Sequence, residues 1–176
     1  MKYKDKFSYK TTVTEKFRLD VIKHLKKYKN VNFLEIGCDI GLTALTLEPY
    51  FEKYTGIDID AKRLLSFSEL SNGNKKINLI QGTSEDIPPA EYDFCFIDAV
   101  HTEEWVLKDT QNVFKFNKLK NFVLIFHDYG LADKGVKKAV VKTFDKKDLN
   151  FIGEKEDWNP LGSSPTNDHE GVLINI

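Results

Sequence analysis

Two short stretches pair a histidine with carboxylates: Phe96-Ile97-Asp98-Ala99-Val100-His101 and Ile125-Phe126-His127-Asp128-Tyr129. An imidazole titrates near neutral pH, so His101 or His127 is suited to take a proton from a reacting hydroxyl. A neighbouring carboxylate such as Asp128 can orient that base or share in binding a divalent cation. Each stretch closes an apolar run, and three further runs end in the same manner, at Glu35-Ile36-Gly37, at Asp58 and at Gly82-Thr83-Ser84-Glu85-Asp86. One acidic or hydroxylic ending is what caps and turns produce anyway. Five of them make sense together if the strands lie side by side and present their carboxyl ends to one ligand.

The first ending leads into Gly37-Cys38-Asp39-Ile40-Gly41, a loop with glycine at both ends and a helical pattern directly after it. Such a loop lets a ligand approach the main chain, and the helix start offers unpaired N–H groups. Asp58 follows about 20 residues later, where a carboxylate accepts hydrogen bonds from a ribose diol. The loop lacks the G-x-G-x-x-G spacing that brings a pyrophosphate onto a helix start, and Asp39 would oppose one. An amino-acid tail carries an ammonium, for which Glu35, Asp39 or Asp98 can serve as counter-charge.

The elements that must hold these residues alternate. Strands are expected at 31–36, 53–59, 77–81, 92–98 and 121–127. Helices are expected at 14–28, 42–48, 61–71, 103–115 and 134–146. Thr12 and Glu15 have the spacing of a capping box for the first helix. Strand then helix, repeated, predicts a parallel sheet with helices on both faces. Leu149 to Glu154 and Gly171 to Ile176 read as two last strands with no helix between them, which should pair antiparallel. The fold class is therefore α/β: a Rossmann-like three-layer sandwich whose seven-stranded, mostly parallel sheet ends in an antiparallel hairpin. The chain reads as one domain over 1–176, with an arm and helix at 1–30, an α/β core at 31–146 and the hairpin at 147–176.

Composition narrows the partners. The chain of 176 residues is 41% hydrophobic and 30% charged, with a formal net charge of -1, which fits a globular protein with no field favouring nucleic acid or an anionic membrane. Cys38 and Cys95 have neither metal-ligand nor disulfide spacing. Without a transmembrane-length run or an apolar leader, a cytoplasmic location is the expectation. His24 on the first helix and His169 at the last strand read as structural, and Trp105 as core. Trp158, in the turn-rich stretch 157–168, reads as a loop anchor or a lid over an acceptor pocket.

The Glu35-Ile36-Gly37-x-x-x-Gly41 loop, Gly56-Ile57-Asp58 and the antiparallel ending resemble the class I S-adenosylmethionine-dependent methyltransferases. The nearest likeness is to small-molecule O-methyltransferases of the catechol and macrocin types. That resemblance implies S-adenosylmethionine as cofactor, held by Glu35, Gly37, Asp39, Gly41, Asp58, Ile59, Ser84, Glu85 and Asp98, with Ser84 and Glu85 at the adenine. It implies a base at His101 and a divalent-metal site at Asp98, His127 and Asp128. Metal-dependent relatives have Asn or Asp where this chain has His127 or Tyr129, and a histidine favours zinc or iron over magnesium. The expected activity is methylation of a hydroxyl on a small molecule or sugar, without nucleic acid or membrane, with a second subunit completing the pocket as an option. A degenerate, ligand-holding member of the fold and a nicotinamide-dependent oxidoreductase are the alternatives.

Overall fold

The computed structural model describes residues 12–131, 134–155 and 168–176; the N-terminal arm and Trp158 lie outside them. Seven strands form one sheet: β1 (Asn32–Ile36), β2 (Lys53–Asp58), β3 (Ile77–Gln81), β4 (Phe94–Ile97), β5 (Val123–Phe126), β6 (Asn150–Lys155) and β7 (His169–Asn175). Their order across the sheet is β3-β2-β1-β4-β5-β7-β6. β1 to β5 pair in parallel, while β7 runs antiparallel to both β5 and β6. The chain reverses its direction of travel across the sheet between β1 and β4, and the crevice above those two strands is where such sheets bind ligands.

Side chains alternate along each strand, so the sheet has two apolar faces. Phe94, Phe96, Val123 and Ile125 face one layer, made by α1 (Glu15–Leu25), α2 (Leu42–Leu47) and α3 (Ala61–Leu70). Cys95, Ile97, Leu124 and Phe126 face the other, made by α4 (Glu103–Phe116) and α5 (Gly135–Thr143). α1 buries Phe17, Val21 and Leu25 at helical spacing, each worth about 1.5–3 kcal/mol relative to exposure. α2 ends at Leu47, and Pro49 sits in the 3-10 turn that follows it, Glu48–Tyr50.

The start of α1 corrects the expected capping box. Thr14, not Thr12, is the N-cap, its hydroxyl accepting from Phe17 N at 3.2 Å. The reason is tertiary: Thr14 also donates from its own N–H to the buried Glu170 at 2.8 Å. Among the described residues, no helix is long and apolar enough to cross a membrane.

Candidate functional site

The loop between β1 and α2 is built on close approach. Gly37 has φ +84°, and a Cβ there would lie 2.1 Å from the Asp98 carbonyl oxygen, so the turn passes directly over the end of β4. Gly41, at φ +76°, lies under the Phe67 ring, 2.2 Å from where its Cβ would stand. Between them the Asp39 N–H donates to Asp58 Oδ2 at 2.9 Å, and Asp60 N donates to Asp58 Oδ1, also at 2.9 Å. These two bonds lock the Asp58 carboxylate while leaving each oxygen a further lone pair. The Asp39 carboxylate is paired with Arg63 at the surface.

A cleft of about 450 Å³ opens above this loop, lined by Gly37, Asp39, Asp58, Ile59, Ser84 and Asp98, together with Thr83, Val100, Trp105 and Asp109. Six of the nine expected cofactor residues thus share one cleft. Gly41 shapes the turn from beneath and does not line it. Glu35 lies behind, on a second pocket of about 270 Å³ that also touches Gly37, Asp39 and Asp98. Glu85 departs from expectation: it points outward and pairs with Lys108 at 3.0 Å. Trp105 is not core but a cleft wall, 39% exposed, with Lys108 Nζ 4.8 Å from its ring centroid. Asp109, unanticipated, is a buried carboxylate of the cleft. Its signal lies in the buried stripe of α4, Val106, Asp109, Thr110 and Val113, where an acid stands at a core position.

Glu35 is 2% exposed and accepts a hydrogen bond from the Tyr54 hydroxyl. Burial raises its pKa to about 8, against the lowering by Tyr54. A carboxyl whose pKa is higher folded than unfolded favours folding in its neutral form, and that contribution is lost as pH rises from its unfolded value through about 8. The ligand-free protein should therefore lose stability, on the order of 3–5 kcal/mol, between pH 5 and pH 8.5. Urea midpoints at the two pH values should show Glu35→Gln free of that loss; an equal loss in both proteins would assign it to other groups.

Histidines and acids meet at the ends of β4 and β5. The His127 side chain has no accessible surface. Its Nδ1 lies 3.0 Å from Asp128 Oδ2 and 3.2 Å from Asp98 Oδ1, and its Nε2 lies 3.1 Å from Glu170 Oε1. Burial alone would lower its pKa, but Asp98 and Asp128 outweigh burial and hold it well above the usual value. His127 is thus an imidazolium among carboxylates, packed edge-on against Phe17 at 5.1 Å. Glu170, wholly buried on β7, also accepts from Thr14 N, the Thr14 hydroxyl and Glu154 N. β7 starts at His169, two residues before the expected Gly171, and so brings Glu170 into the sheet.

His101 Nε2 lies 2.7 Å from Asp128 Oδ2, and 35% of its side chain is exposed. The Asp128 hydrogen bond raises its pKa against the opposing effect of burial. Of the two histidines, then, His101 reaches solvent and His127 does not. Asp98 Oδ, His127 Nδ1 and Asp128 Oδ converge within 4.8 Å of one another. Tyr129 turns away from them, 5.4 Å from the Phe151 ring.

Residues 34–116, from β1 through α4, match a family model described as a methyltransferase domain. No curated protein matches the chain, whereas 1081 solved chains do, so the fold alone selects no substrate. The YcgJ protein of Bacillus subtilis is 26% identical over 62% of this chain, with a TM-score of 0.53, and the chain spans only 50% of that protein. The N-methyltransferase NodS from Bradyrhizobium japonicum WM9, solved with S-adenosylhomocysteine, is 16% identical; the match covers 90% of this chain and 87% of that one at a TM-score of 0.64. SMU.1697c of Streptococcus mutans, also solved with S-adenosylhomocysteine, is 15% identical over 93% of this chain and 99% of that one, at 0.66.

Proposed function

We propose that this chain, whose residues 34–116 match a methyltransferase-domain model and whose fold is that of Rossmann-like methyltransferases, transfers the methyl group of S-adenosylmethionine to a hydroxyl of a small molecule or sugar. The single observation that carries the choice of a hydroxyl is the His101–Asp128 pair, 2.7 Å apart, beside the Asp98–Val100 wall of the cleft. A hydroxyl acceptor must lose a proton as its oxygen attacks, and a carboxylate-oriented histidine is the group for that task.

The cofactor's ribose is assigned to Asp58, its base to the slot between Ile59 and Val100, and its amino-acid tail to the region of Gly37 and Asp39. Glu35, neutral when the pocket is empty of cations, releases its proton to solvent when a ligand ammonium lies beside it, because the neighbouring cation favours the carboxylate. The acceptor oxygen attacks the methyl carbon in line with the departing sulfur. A new C–O bond forms, the C–S electron pair returns to sulfur, and the hydroxyl proton passes to His101. With Nε2 turned to Asp128, Nδ1 is the nitrogen that receives it. Alignment of the two reactants contributes as much as the base does.

The donor set also bears on a metal. Glu170 holds His127 Nε2, so an ion would have to displace the proton that Nδ1 carries between Asp98 and Asp128. One imidazole and two carboxylates fit zinc, manganese or iron(II), not the all-oxygen shell magnesium prefers. An ion held by Asp98, His127 and Asp128 would polarise an acceptor hydroxyl as a Lewis acid.

The test is transfer of a labelled methyl group to a panel of phenols, sugars and amines. Methyl ethers among the products support the assignment. N-methylated products alone would overturn it, since an amine needs no base of this kind once it is unprotonated.

A further inference from the structure

We propose that Asp109 reads the 6-amino group of the adenine held in the cleft, so that a helix residue, and not the acidic Glu85 after β3, determines the specificity for the cofactor's base. This rests on the methyl-donor reading above.

The cleft lining is part polar and part apolar. It joins Asp58, assigned to the ribose, to Ile59, 69% exposed, Val100 and Trp105. An apolar lining that includes an indole suits a purine. The same lining holds Ser84, 1% exposed, and Asp109, 4% exposed. A carboxylate at that depth is costly unless donors reach it. The protein turns one donor toward it, the Ser84 hydroxyl, whose oxygen is itself held by Asn112 Nδ2 at 2.9 Å. Burial pushes the Asp109 pKa up, with Ser84 and Lys108 only partly offsetting it.

An exocyclic amino group is a donor that such a buried carboxyl can accept from. Ionised, the carboxylate accepts from the amine; protonated, it accepts from the amine and donates to the neighbouring ring nitrogen. Glu85 cannot play this part where it stands, because its side chain is 63% exposed and paired with Lys108, whose ammonium also lies over the Trp105 ring. The acid beside Ser84 inside the cleft has come from α4.

Calorimetry with two ligands separates this assignment from the reading it rests on: S-adenosylhomocysteine, and its analogue with hydrogen in place of the 6-amino group. The wild-type protein should prefer the former by roughly tenfold or more, the weight of a hydrogen bond to a buried charged group. Asp109→Ala should bind the two about equally, Asp109→Asn should recover part of the preference through its amide oxygen, and Glu85→Ala should keep all of it. If Asp109→Ala does not fold, the Asn and Glu85 variants decide. A wild-type preference retained in Asp109→Ala, abolished in Glu85→Ala, or absent from the start would overturn the proposal. Failure of the wild-type protein to bind either ligand would instead overturn the methyl-donor reading, and this assignment with it.

Discussion

Replacing His101 by alanine is expected to lower methyl transfer by about 10²–10⁴-fold, with affinity for S-adenosylhomocysteine within about twofold of the wild type. The split follows from where the ring sits. His101 follows the β4 end that lines the cleft, yet it is absent from the cleft's own walls and points to Asp128. A base touching only the acceptor is felt in the chemical step and not in cofactor binding. Rates with an identified acceptor, alongside calorimetry of the cofactor product, check both halves. A loss of cofactor affinity matching the loss of rate would make His101 a structural residue of the cleft.

The second large effect is on stability. His127→Ala should cost about 3–5 kcal/mol, because removing one partner leaves buried charges uncompensated. The carboxylates stranded would be Asp98, Asp128 and Glu170, the last with no exposed surface. Burial would raise the pKa of Asp128, and it is chiefly His127, then His101, that holds it well below the usual carboxylate range. Glu170 likewise stays low because His127 and Thr14 offset its burial. The imidazole further fills space against Phe17. Urea denaturation measures the change. A cost below about 1 kcal/mol would mean that the network breaks even against its desolvation. In that case its retention would point to positioning Asp128 for His101 rather than to holding β5, β7 and α1 together.

The parallel half of the sheet was legible because its signals are local. Each strand is a short apolar run, every crossover but that from β3 to β4 carries a helical stripe, and the strand ends fall within two residues of expectation. The hairpin was legible from the missing helix, although the insertion of β7 between β5 and β6 leaves no mark in the sequence. Side-chain direction was the harder matter. Glu85 and Asp109 are both acids near the adenine end, and only the turn of α4 decides that Asp109 faces inward. Trp105 has core-like neighbours at helical spacing, yet it falls on the cleft side of the stripe. Glu170 and Thr14 lie 156 residues apart, and no local rule pairs them. His127 looked as good a base as His101, since a histidine at a strand end gives no sign of a glutamate waiting behind it. The chemistry at strand ends could be read from residue types. Which group faces ligand and which faces the core is set by contacts across the fold.

Calorimetry of the wild-type protein with S-adenosylhomocysteine and with NAD tests the proposed methyl-donor site most directly. S-adenosylhomocysteine should bind at a single site, NAD should give no measurable heat, and Asp58→Ala should weaken the former by about tenfold or more through loss of its ribose contacts. Binding of NAD without binding of S-adenosylhomocysteine would contradict the account at its root.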